Sequence, residues 1–135
     1  MCDGGFYGSS YGQENAKLIK VNPENYLIEK TLIFSDLNMS PTELSVNKTK
    51  DTLFYINNGI FRQSIYEESL NTSIFINQDN KIFYGLSVDT ASSKIYVSDV
   101  VDYVSNGNLY VYSQSGQLLN SYKAGVNPGE FCFMY

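Results

Sequence analysis

A pattern of 14 residues occurs twice in this chain, 42 positions apart. The stretch LSVNKTKDTLFYIN at 44 to 57 aligns without a gap with LSVDTASSKIYVSD at 86 to 99, and the apolar positions of the two coincide. The copies differ after that, because the second carries a longer polar segment before its next apolar run. A repeat of this period predicts a structure built of similar stacked units.

Each unit consists of short runs with period-two alternation, separated by polar turns. In the last full unit the alternation predicts strands at 84 to 88, 94 to 99, 109 to 113 and 118 to 124. The turns DTASSK and SQSG are of the kind that closes antiparallel hairpins. Helix signals are too short to overcome the cost of nucleation. A repeated four-stranded antiparallel unit of about 40 to 50 residues is typical of a β-propeller blade, so the sequence predicts an all-β fold.

Partial copies flank the full units. KLIKVNPENYLIEKT at 17 to 31 matches NLYVYSQSGQLLNSY at 108 to 122, and PGEFCF at 128 to 133 matches PTELSV at 41 to 46. Closed propellers have about four to eight blades. We therefore expect two and a half to three blades from the C-terminal third of a larger ring, which associates with the remaining blades or with itself. The predicted order is the second part of a blade at 1 to 34, full blades at 35 to 76 and 77 to 124, and the first strand of a closing blade at 125 to 135.

Composition excludes several classes of function. The formal charge is −5, with nine Lys and Arg against fourteen Asp and Glu, and no basic run offers phosphate contacts, so nucleic acid is not a predicted partner. No apolar stretch reaches the roughly 18 to 20 residues that cross a bilayer. Histidine is absent, which removes histidine-based triads and HExxH zinc sites. Cys2 and Cys132 show no metal-ligand spacing, and we expect them to be small apolar fillers. The sequence predicts no catalytic residues, metal or cofactor.

The chain resembles a known family along most of its length. FYGLSVDTASSKIYVSDVVDYVSNGNLYVYSQSGQLLNSYKAGVNPGEFCF at 83 to 133 and DGGFYGSSYGQENAKLIKVNPE at 3 to 24 resemble the C-terminal blades of YVTN-type, YncE-like surface β-propellers of gut bacteria. That family has long been labelled a domain of unknown function. The resemblance implies a seven-bladed, outer membrane-anchored or periplasmic lipoprotein at the bacterial cell surface. Some members capture cobalamin and pass it to a transporter, so the resemblance implies a non-enzymatic binding module, with a corrinoid as ligand and an outer-membrane transporter as partner.

Loop lengths locate the predicted ligand site. In a meandering blade, the loop between the second and third strands and the connection to the next blade emerge on one face of the ring. The long loops at 3 to 16, 35 to 42, 99 to 107 and 123 to 129 share that face, and binding residues usually lie in such loops. The predicted ligand-binding residues, which offer aromatic planes or hydrogen-bonding groups to a corrinoid or a glycan, are Phe6, Tyr7, Tyr11, Asp99, Asp102, Tyr103, Asn106 and Asn108.

Other interpretations of these residues stay open. Strand tyrosines such as Tyr84 and Tyr96 are also explained by packing between neighbouring blades. Asp99 recurs as Asn57 at the same point of the preceding unit, which is equally explained by turn capping. For the function, the alternatives are a carbohydrate-binding propeller, a carbohydrate-active or lactone-cleaving propeller that uses loop carboxylates, and a protein-interaction scaffold.

Overall fold

A computed structural model describes residues 12 to 135 of the chain. The regular structure of these residues is entirely β-strand, in one two-stranded hairpin and two four-stranded antiparallel sheets. None of the described residues belongs to a helix with the length and apolarity to cross a membrane. The described residues fall into two compact units, 12 to 42 with Glu67–Leu70, and Glu43–Tyr66 with Asn71–Tyr135. The prediction of an all-β fold built from four-stranded antiparallel units is confirmed.

The first unit contains a hairpin of β1 (Lys17–Val21) and β2 (Ile28–Ile33). The NPEN turn between them forms because the Oδ1 of Asn22 accepts the backbone N–H of Glu24 at 2.8 Å, which is the local bonding that asparagine favours in turns. An ion pair of 2.7 Å joins Lys20 to Glu29 across the strands. Within the same unit, Lys30 reaches Glu68 at 2.8 Å.

The first of the two sheets lies in the second unit and contains β3 to β6 in chain order. The turn between the second and third strands of this sheet contains Asn58 and Gly59, whose φ angles are both positive, at 53° and 141°. An Asn-Gly pair is the sequence that this kind of tight hairpin turn favours. The bounds of the strands are Thr42–Val46 for β3, Thr52–Ile56 for β4, Gly59–Ser64 for β5 and Ile74–Asn77 for β6.

The second sheet has the order β10-β9-β8-β7, so it is also a simple meander. Its strands are β7 (Phe83–Val88), β8 (Ile95–Asp99), β9 (Asn106–Tyr112) and β10 (Leu118–Val126). The alternation in the sequence predicted each of these strands. The largest difference is at the start of β9, which begins at Asn106 rather than at 109 because Asn106 pairs with Val126 at the end of β10.

The core of the second unit lies between the two sheets. Apolar side chains of β4 to β6 meet those of β7 to β9. Within the first sheet, the ring centroids of Phe54 and Phe75 lie 5.8 Å apart. The backbone N–H of Val88 donates to Ser45 Oγ at 3.0 Å, which joins the first strands of the two sheets directly. Removal of these apolar surfaces from water is the main driving force for the stacking. The buried core side chains are Phe54, Ile56, Ile60, Ile76, Phe83, Leu86, Val88, Ile95, Val97 and Tyr112.

The chain after β10 crosses the outward face of the second sheet. Phe131 and Phe133 lie 6.0 and 5.0 Å from the ring of Tyr96, and the hydroxyl of Tyr135 donates to Asp89 Oδ1 at 2.8 Å. Residues 127 to 135 are in no sheet, because strand hydrogen bonds need a neighbouring strand and this segment lies against a sheet face. Its assignment to the first strand of a further blade stays a prediction.

Cys132 corrects one expectation from the sequence. It is a free thiol and is exposed, whereas we expected a buried apolar filler. The alternation of this segment explains the difference, because Phe131 and Phe133 both contact Tyr96 and the residue between them points away. Cys2 lies outside the described residues.

Candidate functional site

The loop at 99 to 107, here called the rim loop, is anchored by a buried aspartate. Asp99 is 3% exposed, and its Oδ1 accepts the backbone N–H groups of Ile82 at 2.9 Å and Val101 at 3.0 Å. Its Oδ2 accepts from the side-chain amide of Asn108 at 3.1 Å. The oxygen of that amide accepts from Lys123 Nζ at 2.9 Å. Asp99 and Asn108 therefore hold the base of the rim loop together, in the manner of a turn cap.

Asp102 closes the tip of the rim loop. Its Oδ1 accepts the N–H of Val104 at 3.0 Å and that of Ser105 at 2.6 Å, and its Oδ2 accepts from the Ser105 hydroxyl at 2.7 Å. The Ser105 N–H, followed by the Ser105 hydroxyl and the Val104 N–H, holds the pKa of the Asp102 carboxyl below its usual range. Carboxylates that accept several hydrogen bonds behave in this way. Three hydrogen bonds to Asp102 thus close the turn, while Tyr103 and Val104 are exposed to solvent.

Two tyrosines meet at the edge of the rim loop. The rings of Tyr84 and Tyr103 are 6.1 Å apart and nearly perpendicular, at 89°, which is the edge-to-face geometry that aromatic pairs prefer. Both rings are about half exposed, at 47% and 51%, and Val104 beside Tyr103 is 77% exposed. An aromatic corner on a hydrogen-bonded loop is a surface that can receive the apolar face of a ligand.

Tyr84 was absent from the predicted site residues, because a strand tyrosine is usually explained by packing. A signal was nevertheless available in the repeat alignment. Position 84 corresponds to Thr42 in the preceding unit, and a threonine at the equivalent point indicates that the position faces solvent rather than the core. Comparison of equivalent positions across units would have placed Tyr84 at the surface.

A cleft of about 210 Å³ opens beside Tyr84. A glycine is required in its wall, because a Cβ at Gly85 would lie 1.7 Å from the backbone oxygen of Gly129 and 2.9 Å from Ser98 Oγ. No side chain can therefore extend into the cleft from position 85. The lining residues are Glu43, Tyr84, Gly85, Gly129 and Glu130.

The two glutamates of the cleft occupy equivalent positions in the repeat. The alignment of 41 to 46 with 128 to 133 pairs Glu43 with Glu130, and the alignment of the full units pairs Glu43 with Gly85. Both glutamates are exposed. Glu43 has a positive φ of 58° although it lies in a strand, which is uncommon for a residue with a side chain. Three equivalent positions of the repeat therefore line the same cleft. Two of them carry glutamate, at 43 and 130, and the one between them in sequence carries glycine, at 85.

The predicted site residues are only partly brought together. Tyr103 and Asp102 lie in the rim loop beside Tyr84, while Asp99 and Asn108 lie at its base and are engaged in internal hydrogen bonds. Asn106 is exposed at the start of β9. Phe6, Tyr7 and Tyr11 lie outside the described residues. Within residues 12 to 135 no group of three or more Cys, Asp or Glu side chains is arranged to hold a metal ion.

Comparison with known proteins shows the fold of the chain. No protein-family model matches the sequence, and no curated protein sequence matches it significantly. Among solved structures, the chain is similar to a quinonprotein alcohol dehydrogenase-like protein from Bacteroides thetaiotaomicron. The TM-score is 0.67 over 81% of this chain, at 15% sequence identity, and the chain spans 28% of the length of that protein. Together with the stacked four-stranded meanders, this likeness shows a β-propeller fold.

Proposed function

We propose that this chain is a non-enzymatic ligand-binding module of a β-propeller, and that the ligand docks on the aromatic corner formed by Tyr84 and Tyr103. The observation that carries the proposal is the combination of exposed apolar side chains with a fixed loop. Tyr103 and Val104 are exposed at 51% and 77%, on a turn that Asp102 holds with three hydrogen bonds. A surface ordered before binding loses less conformational entropy when the ligand arrives.

The favoured ligand is a corrinoid, captured at a bacterial cell surface by an outer membrane-anchored or periplasmic protein. A corrinoid presents a broad ring system with amide groups at its edge. Tyrosine rings can cover its apolar face while their hydroxyls and the exposed Asn106 amide bond to its rim. The surface location and the transfer to an outer-membrane transporter follow from the family resemblance. The remaining blades of the ring come from further polypeptide or from a second copy.

A carbohydrate-active propeller is the second candidate function, and the cleft gives it a specific observation. Glu43 and Glu130 both line the cleft beside Tyr84. Glycoside cleavage uses a pair of carboxyl groups that flank the scissile bond, and sugars stack readily on tyrosine rings. A glycan-binding module without cleavage activity would use the same groups as hydrogen-bond acceptors.

Calorimetric titration of the chain with cobalamin tests the first candidate. We expect binding that Tyr103→Ala weakens about tenfold, as for loss of an aromatic anchor. The matched control is Tyr26→Ala, which removes a tyrosine that is 81% exposed in the turn of the β1–β2 hairpin and should leave the affinity unchanged. Equal losses in the two variants, or no heat of binding, would overturn corrinoid capture at this corner. Release of sugar from an oligosaccharide panel, abolished by Glu43→Gln, would establish the second candidate instead.

A further inference from the structure

We infer that this chain associates head to tail, with the β1–β2 hairpin of one copy packed on the outward face of the second sheet of another copy. Neither surface includes Tyr84 or Tyr103, so this association does not depend on the ligand proposed for the aromatic corner. Support comes from the contact between the two four-stranded sheets, which the repeat alignment transfers to two surfaces that solvent still reaches.

The contact between the two sheets shows which strand faces of this repeat pack together. The first sheet contributes Phe54 and Ile60 to the shared core, and β9 of the second sheet contributes Tyr112, with Tyr110 packed against the same cluster. Successive side chains of a strand point to opposite faces. Each unit therefore has one face that covers the unit before it and another face that receives the unit after it.

The outward face of the second sheet is equivalent to the receiving face of the first sheet. The repeat alignment pairs Phe54 with Tyr96 and Ile60 with Leu109, and Tyr122 of β10 lies opposite Leu109. Ile60 is 0% exposed, whereas Tyr122 is 52% exposed. Strand pairing places six uncharged residues on this outward face, namely Tyr96, Ser98, Leu109, Val111, Asn120 and Tyr122.

The segment after β10 occupies only part of this outward face. Its phenylalanines contact Tyr96 of β8, and the alignment of 128 to 133 with 41 to 46 makes it equivalent to β3, the first strand of a sheet. Tyr122 in the outermost strand stays half exposed. The place of a first strand is therefore taken, while solvent reaches the side of the face formed by β9 and β10.

The β1–β2 hairpin corresponds to the strands that would cover this side. The alignment of 17 to 31 with 108 to 122 pairs Ile19 with Tyr110 and Val21 with Tyr112, which are the two tyrosines that pack on the first sheet. Val21 is 48% exposed, although its counterpart Tyr112 is 5% exposed. The hairpin thus carries the covering residues of a unit without a receiving face against them in the described part of the chain.

The uncovered side of the hairpin is apolar along its whole length. Ile28 lies opposite Val21 on β2, and Ile33 lies on the same side at the other end of the hairpin, and both are exposed. Leu18, on the other side of β1, is buried. An exposed apolar patch of this kind marks an interaction surface. A second copy is the occupant that fits, because the same chain carries the matching receiving face.

This association joins two different surfaces, so it is heterologous. The hairpin of one copy meets the sheet of the next, and each pair keeps one free surface of each kind. A substitution in the hairpin therefore leaves the receiving face intact, and a substitution in the receiving face leaves the hairpin intact.

The test measures the size of the complete chain by sedimentation velocity over about a hundredfold range of concentration, with a reducing agent because Cys132 is an exposed thiol. We expect association that Val21→Lys and Tyr122→Lys each weaken at least about tenfold, since each places a charge in an apolar contact. Both residues are about half exposed in the single chain, so both variants should fold. Tyr66→Lys, at a tyrosine that is 75% exposed in the loop after β5, is the control and should associate like the wild type.

A mixture of the two variants tests the head-to-tail geometry. Val21→Lys keeps the receiving face and Tyr122→Lys keeps the hairpin, so an equimolar mixture should form mixed pairs at a concentration where each variant alone is monomeric. Any of four results would overturn the inference: a monomer at every concentration, association unchanged by Val21→Lys or Tyr122→Lys, an equal loss in Tyr66→Lys, or no association in the mixture.

Discussion

Tyr84, at the start of β7, and Tyr103, in the rim loop, meet edge to face with their ring centroids 6.1 Å apart. This contact joins the cleft to the loop, because Tyr84 lines the first and Tyr103 belongs to the second. We expect a double-mutant cycle with Tyr84→Leu and Tyr103→Leu to give a coupling free energy of about 0.5 kcal/mol, at the lower end for aromatic pairs since both rings are half exposed. Urea unfolding of the four proteins measures it, and additive effects would show that the rings do not stabilise each other.

Gly85→Ala should destabilise the second unit. The added Cβ would meet the backbone oxygen of Gly129 at 1.7 Å and its carbonyl carbon at 2.8 Å, and backbone atoms cannot move aside as a flexible side chain can. We expect a loss of about 1 to 3 kcal/mol in the free energy of unfolding, measured by urea denaturation. Gly125→Ala is the matched control, because nothing lies within 4 Å of a Cβ there. Equal stability of the two variants would contradict the close approach at Gly85.

Asp99→Ala should destabilise the base of the rim loop more than Asp99→Asn, which keeps an acceptor for the two backbone N–H groups but places an amide donor against Asn108 Nδ2. The alanine variant leaves the N–H groups of Ile82 and Val101 without their acceptor, at a cost of about 2 kcal/mol. Asparagine keeps an oxygen at Oδ1 and is the residue at the equivalent position 57 of the preceding unit. Thermal unfolding of the two variants measures the difference. If Asp99→Asn were as damaging as Asp99→Ala, the negative charge and the bond from Asn108 to Oδ2, rather than the two backbone N–H bonds to Oδ1, would be responsible.

Order in the rim loop should depend on pH in the acid range. Hydrogen bonds from Ser105 and Val104 hold the pKa of Asp102 below its usual value. A depressed pKa means that the stabilising contribution is present above the unfolded-state value of about 3.9 and is lost as the pH falls through the folded-state value. Asp102→Ala should therefore lower stability relative to the wild type near neutral pH, and this difference should disappear in strong acid. A difference that persisted unchanged into strong acid would assign the effect to packing.

The buried phenol of Tyr55 predicts a loss of stability in alkali. Burial raises its pKa from 10.0 to about 12, so the neutral form is favoured in the folded state. A raised pKa gives stability that is complete below the unfolded-state value and is lost as the pH rises through the folded-state value. Unfolding free energies measured from pH about 10 upward should fall more steeply for the wild type than for Tyr55→Phe. Parallel curves for the two proteins would exclude Tyr55 as the titrating group.

The repeat and its alternation were sufficient to predict the sheets. Period-two patterns identified β7 and β8 to within one residue, because a strand with one buried face must alternate. The start of β9 at Asn106 was not predictable, since it depends on pairing with Val126 in another strand. The sequence pattern also indicated that Asp99 could cap a turn. The structure shows this role, because Asp99 Oδ1 accepts the backbone N–H groups of Ile82 and Val101.

The cleft was harder to predict than the sheets. Glu43 and Glu130 are 87 positions apart and each has an ordinary sequence context. They line the same cleft because the segment after β10 returns to β7, where Gly129 lies against Gly85, and only the folded chain creates that contact. The exposure of Tyr84 was also hard to predict, because alternation indicates which side of a strand a residue faces, but not whether another part of the chain covers that side.

The glycine at position 85 carries a more general consequence for proteins made of tandem copies. Tandem repeats with identical residues at equivalent positions would present identical surfaces. A ligand would then bind each repeat equally well. In this chain, one of three equivalent positions differs by the loss of a side chain: residues 43 and 130 are glutamate, whereas residue 85 is glycine. The absence of a side chain at Gly85 therefore makes one repeat structurally different from its neighbours.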